Sequence, residues 1–149
     1  HVGEPVADLV IRHAALHGIE VPESIVPDMI DEFPALFIAA ACASGKTVVR
    51  GAAELRVKES DRLASMAIGL RNLGIQVDET PDGATIHGGV IGSGSVESHG
   101  DHRIAMAFSI AAQRATGAVR IADVANVATS FPDYDALAQQ VGFGTFTGA

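Results

Sequence analysis

Cysteine occurs once in these 149 residues, so no internal disulfide can form, and a reducing cytoplasm is the compartment such usage suggests. That residue, Cys42, lies in AAACAS with no charge beside it, and it reads as core filler and not as a nucleophile. Charged residues are scarce at 19%, against about a quarter in average globular chains, so any cluster of them carries information. Basic charge is scarcer still. With a net charge of -8, no basic stripe and no array of aromatics, the sequence argues against nucleic acid and acidic membrane surfaces as partners. A membrane-spanning run is missing too: the longest apolar stretch, Phe33 to Cys42, is too short to cross a bilayer and contains Pro34. Nothing at the start reads as a signal peptide. The first residue is His1 and not methionine, which suggests a trimmed chain or a piece of something longer.

What is present is a hydrophobic fraction of 48%, enough for one domain with a substantial core. Apolar residues recur at helical spacing in four segments, each followed by a glycine suited to a left-handed cap: Phe33 to Ser44, Ser60 to Leu73, His102 to Thr116 and Pro132 to Val141. Leu63, Met66, Ala67, Leu70 and Leu73 form one stripe; Ile104, Phe108, Ala111, Ala112 and Ala115 form another. β-branched runs between the helices predict strands at DLVIRHA, TVVRGA, ATIHGG and VRIADV, with weaker ones at IEVP, IQVDE and GSVES. The fold class is therefore mixed α/β.

This order contains an internal repeat. AACASGKTVVRGAAEL, from Ala40, lies on AAQRATGAVRIADVAN, from Ala111, with Gly45 matching Gly117 and Arg50 matching Arg120. Two copies of a unit of roughly 70 residues fill most of the chain. Asp31 and Arg103 then open equivalent helices, Lys58 and Glu59 precede the second helix, and Thr129 precedes the fourth. If the copies pack with their helices parallel, these starts face one cleft, where unpaired N–H groups and the positive end of each helix dipole favour an anion. An acidic chain can in this way hold an acidic ligand.

The charged motifs each have a plainer reading. In RVKESDRL, Ser60 or Asp61 caps a helix while Arg56 is solvated. In HGDHRIAMAF, Asp101 caps a helix between solvated neighbours; His99, His102 and one aspartate are too few for a zinc site, so no metal is expected. Two arginines at helix starts, Arg62 and Arg103, fit bidentate carboxylate or phosphate recognition better. ASGKT imitates a phosphate loop but has Ala40 where the first glycine belongs, which leaves Gly45 as a cap and Lys46 solvated. In VPDMIDEFPAL, Asp31 occupies the position matching Arg103 and is the candidate base, with Asp28 and Glu32 left to loop and surface. Arg50 and Arg120 are structural or surface residues by default.

Taken together and in order, PDMIDEFP, RVKESDRL, DHRIAMAF and ATSFPDY resemble the C-terminal lobe of the 5-enolpyruvylshikimate 3-phosphate synthase family, from about Val26 onward. The resemblance implies an inside-out α/β barrel built from βαβαββ units, three to a lobe, of which about two are present, so that residues 1–149 are one partial lobe. It implies transfer of the enolpyruvyl group of phosphoenolpyruvate to the 5-hydroxyl of shikimate 3-phosphate with release of phosphate, between two lobes and without a cofactor. Such a reaction needs a base for the hydroxyl proton, an acid for the methylene and cations for a carboxylate and two phosphates. On this likeness Asp31 bonds the shikimate hydroxyl, Glu59 sits beside the methylene, and Lys58 reaches the hydroxyl and the reacting centre. Arg62 and Arg103 clamp phosphoenolpyruvate, and His102 adjoins the phosphate.

Two positions depart from the family pattern. Thr129 stands where many relatives have a lysine before Thr-Phe-Pro, and Glu54 where some have asparagine. Two other readings are a non-catalytic module, free or joined to another domain, and an enolpyruvyl transferase acting on a nucleotide sugar. The chain by itself is expected to be inactive without the opposing, N-terminal lobe, and an open sheet edge or apolar patch is expected to make it self-associate.

Overall fold

A computed structural model describes residue 3 and residues 6–144. Five helices, α1 (Phe33–Ala41), α2 (Arg62–Asn72), α3 (His102–Ala112), α4 (Ala125–Ser130) and α5 (Tyr134–Gln140), alternate with five strands. The strands are β1 (Lys46–Val49), β2 (Val77–Thr80), β3 (Gly83–His87), β4 (Gly94–Glu97) and β5 (Val119–Ala122). Three short 3-10 turns, Glu23–Ile25, Pro27–Glu32 and Ala53–Val57, lead into the first two helices.

Each long helix starts and packs as its residues dictate. α1 takes Pro34 within its first turn, where the missing N–H costs nothing, and buries Phe33, Phe37, Ile38, Ala40 and Ala41. Asp61 caps α2 by accepting from the Ala64 amide, and Leu63, Met66, Ala67, Leu70 and Leu73 form the buried stripe. Asp101 caps α3, which buries Ile104, Ala107, Phe108 and Ala111. α2 and α3 approach closely because Gly69 has no side chain: a Cβ there would lie 2.3 Å from the Phe108 ring. These three helices and the inner faces of the strands enclose one apolar core.

The strands form two sheets. β1, β3 and β2 make an antiparallel sheet in that order, with Val48 opposite Thr85 and Glu79 opposite Ala84; β2 and β3 are a hairpin closed at Thr80 and Gly83. β4 and β5 pair in parallel, Val96 opposite Ile121, across α3. The same parallel arrangement occurs across α1, where His17 and Glu20 bridge to Ser44 and Val48 beside β1. The internal repeat is thus visible as two strand–helix–strand units, and among the described residues the first alone continues through a second helix into a hairpin.

Several expectations are corrected. DLVIRHA is not a strand: residues 6–16 carry no regular structure, and Leu9, Val10 and Ile11 are exposed. A strand needs a neighbour to bond, and within the chain the outer edge of β1 is taken by His17 and Glu20. The third helix ends at Ala112, well short of Thr116, and Gly117 is not among the glycines with positive φ. Its smallness serves packing, since a Cβ there would lie 2.9 Å from the Ser93 side chain. Gly74 and Gly142 do adopt the left-handed cap, at φ 85 and 88. The fourth predicted helix is present as α5, starting at Tyr134 and not at Pro132, while ANVATS before it forms a further short helix, α4, that the sequence reading does not include, and the chain breaks around Pro132 between them. No helix among the described residues is long and apolar enough to cross a membrane.

Candidate active site

The cluster is built on the starts of α1, α2 and α3. Arg62, the first residue of α2, turns inward and is 1% exposed, so its charge must be met inside the protein. Asp101 meets it with an oxygen 2.8 Å from Nε and is itself fully buried. That carboxylate also accepts from the Ser60 hydroxyl at 3.0 Å and, as the α3 cap, from the Arg103 amide at 2.9 Å. One side chain therefore ties RVKESDRL to DHRIAMAF. The other guanidinium nitrogens of Arg62 donate to Asp31 at 2.9 Å and to Glu59 at 2.5 Å, carboxylates that lie about half-exposed above it. Pairing of this kind is what allows a buried arginine to stay charged.

Around this centre the remaining charges close a network. Lys58 Nζ lies 2.6 Å from Glu54 and 3.6 Å from the Asp31 carboxylate. Arg103 donates to the Asp31 carbonyl at 3.0 Å and to the Glu32 carboxylate at 3.1 Å, which joins the turn before α1 to the first turn of α3. Burial raises the Asp31 carboxyl pKa, but Lys58, Arg103 and Arg62 together outweigh it and hold the group below its ordinary value. Burial likewise opposes the charge on Asp101, and the bonds from Arg62, Ser60 and the Arg103 amide overcome it, again lowering the pKa. Lys58 is held protonated above its usual range, chiefly by its hydrogen bond to Glu54. The product is a set of ionised carboxylates interleaved with three cations, whose donors could be redirected to an anion.

The sequence-predicted residues Asp31, Lys58, Glu59, Arg62 and Arg103 are thus brought together from three distant segments. His102 opens α3 beside Arg103, partly buried, but its ring has no hydrogen-bond partner among the described residues and stands outside the ionic network. Thr129 is exposed on α4 and makes no contact with the cluster's hydrogen bonds. Four residues carry more than the sequence reading gave them. Asp101 is a buried counter-ion as well as a cap; Glu32, assigned to the surface, holds Arg103; Ser60 supports Asp101. Glu54 is the partner of Lys58, and its four-residue spacing was the available signal. Arg56 is not solvated: it binds Asp61, Glu79 and two backbone carbonyls. A wide groove of about 1060 Å³ runs along β5 and the starts of α4 and α5, lined by Val119, Ile121, Val127 and Phe131. It contains none of the clustered charges, so the chemistry is sought at the helix starts and not there.

Repeated strand–helix–strand units that aim three helix starts at one charged cluster have the architecture of an inside-out α/β protein. Residues 2–137 match the family model for EPSP synthase (3-phosphoshikimate 1-carboxyvinyltransferase). The chain is 76% identical over 147 residues to the 3-phosphoshikimate 1-carboxyvinyltransferase of Xanthomonas axonopodis pv. citri, and 74% identical over 144 residues to that of Xanthomonas campestris pv. campestris. These alignments cover 99% and 97% of the chain and 33% of each relative. A solved EPSP synthase of Acinetobacter baumannii superposes with a TM-score of 0.84 at 52% identity, over 87% of this chain and 31% of that one. The chain belongs to the EPSP synthase family and spans about a third of the length of the curated relatives it matches.

Proposed function

We propose that the chain is part of the C-terminal lobe of an enzyme that transfers the enolpyruvyl group of phosphoenolpyruvate to the 5-hydroxyl of shikimate 3-phosphate and releases phosphate, in the cytoplasm. The observation that carries this reading is the convergence of Asp31, Lys58, Glu59 and Arg62 through ionic contacts, with Arg103 joined to them by its hydrogen bond to the Asp31 carbonyl. For the hydroxyl oxygen to bond to the central enol carbon, its proton must leave and the methylene carbon must gain one. When phosphate departs, that carbon returns a proton and the double bond re-forms. Asp31, held ionised, takes the hydroxyl proton, and Glu59 and Lys58 stand at the reacting centre. Arg62 and Arg103 turn donors from Glu59 and Glu32 to the anionic substrate. His102, free of the network, adjoins the phosphate. The missing N-terminal lobe supplies further anion contacts and excludes water on closure.

The test is phosphate release by the full-length protein given both substrates. Release with shikimate 3-phosphate supports the reading; release only with a nucleotide sugar replaces it, and release with neither overturns it. The isolated chain is expected to show no turnover. With Leu9, Val10, Ile11 and the face of β5 uncovered, it is expected to self-associate in light scattering, and a strictly monomeric species at high concentration contradicts that.

A further inference from the structure

We infer that Arg56 is a positioning residue for Lys58 and Glu59, an inference that rests on the reading just given. Arg56 lies in the 3-10 turn Ala53–Val57, two residues before Lys58, and its own donors point away from the cluster. Nε donates to the Pro81 carbonyl at 2.7 Å; Nη2 donates to the Thr80 carbonyl at 2.6 Å and to Glu79 at 3.0 Å; Nη1 donates to Asp61 at 2.8 Å. Four of its five N–H donors are committed to these contacts, all of them on the hairpin and on Asp61.

What these bonds do is close a ring. Asp61 caps α2 through its other oxygen, 2.9 Å from the Ala64 amide, so the Arg56–Asp61 pair joins the end of the 3-10 turn to the first turn of the helix. Only Val57, Lys58, Glu59 and Ser60 lie between the joined residues. Pro81 and Thr80 belong to the turn of the β2–β3 hairpin, which is itself fixed to β1. The four-residue loop that carries both reactive groups is therefore closed by one ion pair, with its Arg56 end fixed to the hairpin and its Asp61 end to α2. Val57 is 80% exposed and Glu59 about half so, and the staple adds to the loop's other restraints, which are the Lys58 contacts to Glu54 and Asp31 and the bonds to Arg62 and Asp101. Misplacement of a reacting group by about 1 Å can cost on the order of a hundredfold in rate, so a residue that touches no substrate can still govern turnover.

The test uses the full-length protein with Arg56→Gln, Asp61→Asn, the two combined, and Glu79→Gln, followed by steady-state kinetics across pH and by thermal unfolding. Asparagine also caps helices, so Asp61→Asn keeps α2 and removes only the charged bond to Arg56. Arg56→Gln and Asp61→Asn are each expected to lower kcat by roughly ten- to a hundredfold, with KM for phosphoenolpyruvate changing less and the pH profile of kcat displaced. The double variant is expected to lose little more than either single one. Glu79→Gln, which removes a partner on the sheet side without opening the ring, is expected to keep kcat within about twofold. Should Arg56→Gln fail to fold, Asp61→Asn decides alone. An active wild type whose Asp61→Asn variant keeps kcat and pH profile overturns the inference while the functional reading stands; an inactive wild type overturns both.

Discussion

The two copies of the repeat differ in how much of themselves they bury. The first, from Glu20 through β3, has a three-stranded sheet, two long helices and a hairpin, and its apolar residues Phe37, Leu63, Leu70 and Ile86 are all essentially inaccessible. The second has a two-stranded parallel sheet, and its last helix leaves Leu137 and Val141 exposed, with Ala138 alone buried. Among the described residues its second half has no hairpin to lie against, and the groove along β5 is the result. Yet the starts of α2, in the first copy, and α3, in the second, are equally well fixed, because Asp101 and Arg62 bond across the junction between copies. The second copy's first helix is thus held twice, by its apolar face in the shared core and by the buried charge pair at its start.

If this contrast is real, equal truncations must have unequal costs. Phe37, 1% exposed and edge-on to Phe33, is expected to lose about 3–5 kcal/mol on Phe37→Ala, whereas Leu137→Ala is expected to lose less than about 1 kcal/mol, both by urea unfolding. Similar costs at the two sites would remove the distinction. The junction itself is probed by Gly69→Ala. A Cβ against the buried Phe108 ring overpacks the α2–α3 contact and is expected to cost about 1–3 kcal/mol, and a neutral substitution would mean the helices are free to part.

The smallest effect is electrostatic. The folded-state pKa of Asp101 lies below its unfolded value of about 3.9, so its contribution is complete above that pH and fades as pH falls through the folded value. The stability gap between wild type and Asp101→Asn is expected to be constant from about pH 7 to 5 and to shrink below about pH 4. A gap that widens on acidification contradicts the assignment.

How much of this was legible depended on what fixes each feature. The stripes of α2 and α3 follow from helical period, and both were readable because every member faces one core. DLVIRHA has strand composition, but strand formation is decided by pairing, and the edge of β1 that it would reach is taken by His17 and Glu20. Gly117 follows a helix like a cap, while its role is close approach to Ser93, a contact invisible in one dimension. At the site, Asp31, Lys58, Glu59, Arg62 and Arg103 were named by motif, and their mutual contacts agree with the repeat that matched Asp31 to Arg103. Asp101 was underestimated because capping alone explains an aspartate before a helix, and nothing local says that the same carboxylate is buried against an arginine thirty-nine positions earlier. Arg56 reads as solvated for the same reason: three of its acceptors lie in a hairpin more than twenty residues away.

The most direct measurement is a double-mutant cycle on unfolding with Arg62→Gln and Asp101→Asn. If charges from separate copies meet in one buried pair, each single change leaves a stranded partner, and the double variant must be more stable than the sum predicts by at least about 1 kcal/mol. Additivity within about 0.5 kcal/mol would mean that the two side chains do not meet and that the helix starts do not share a site.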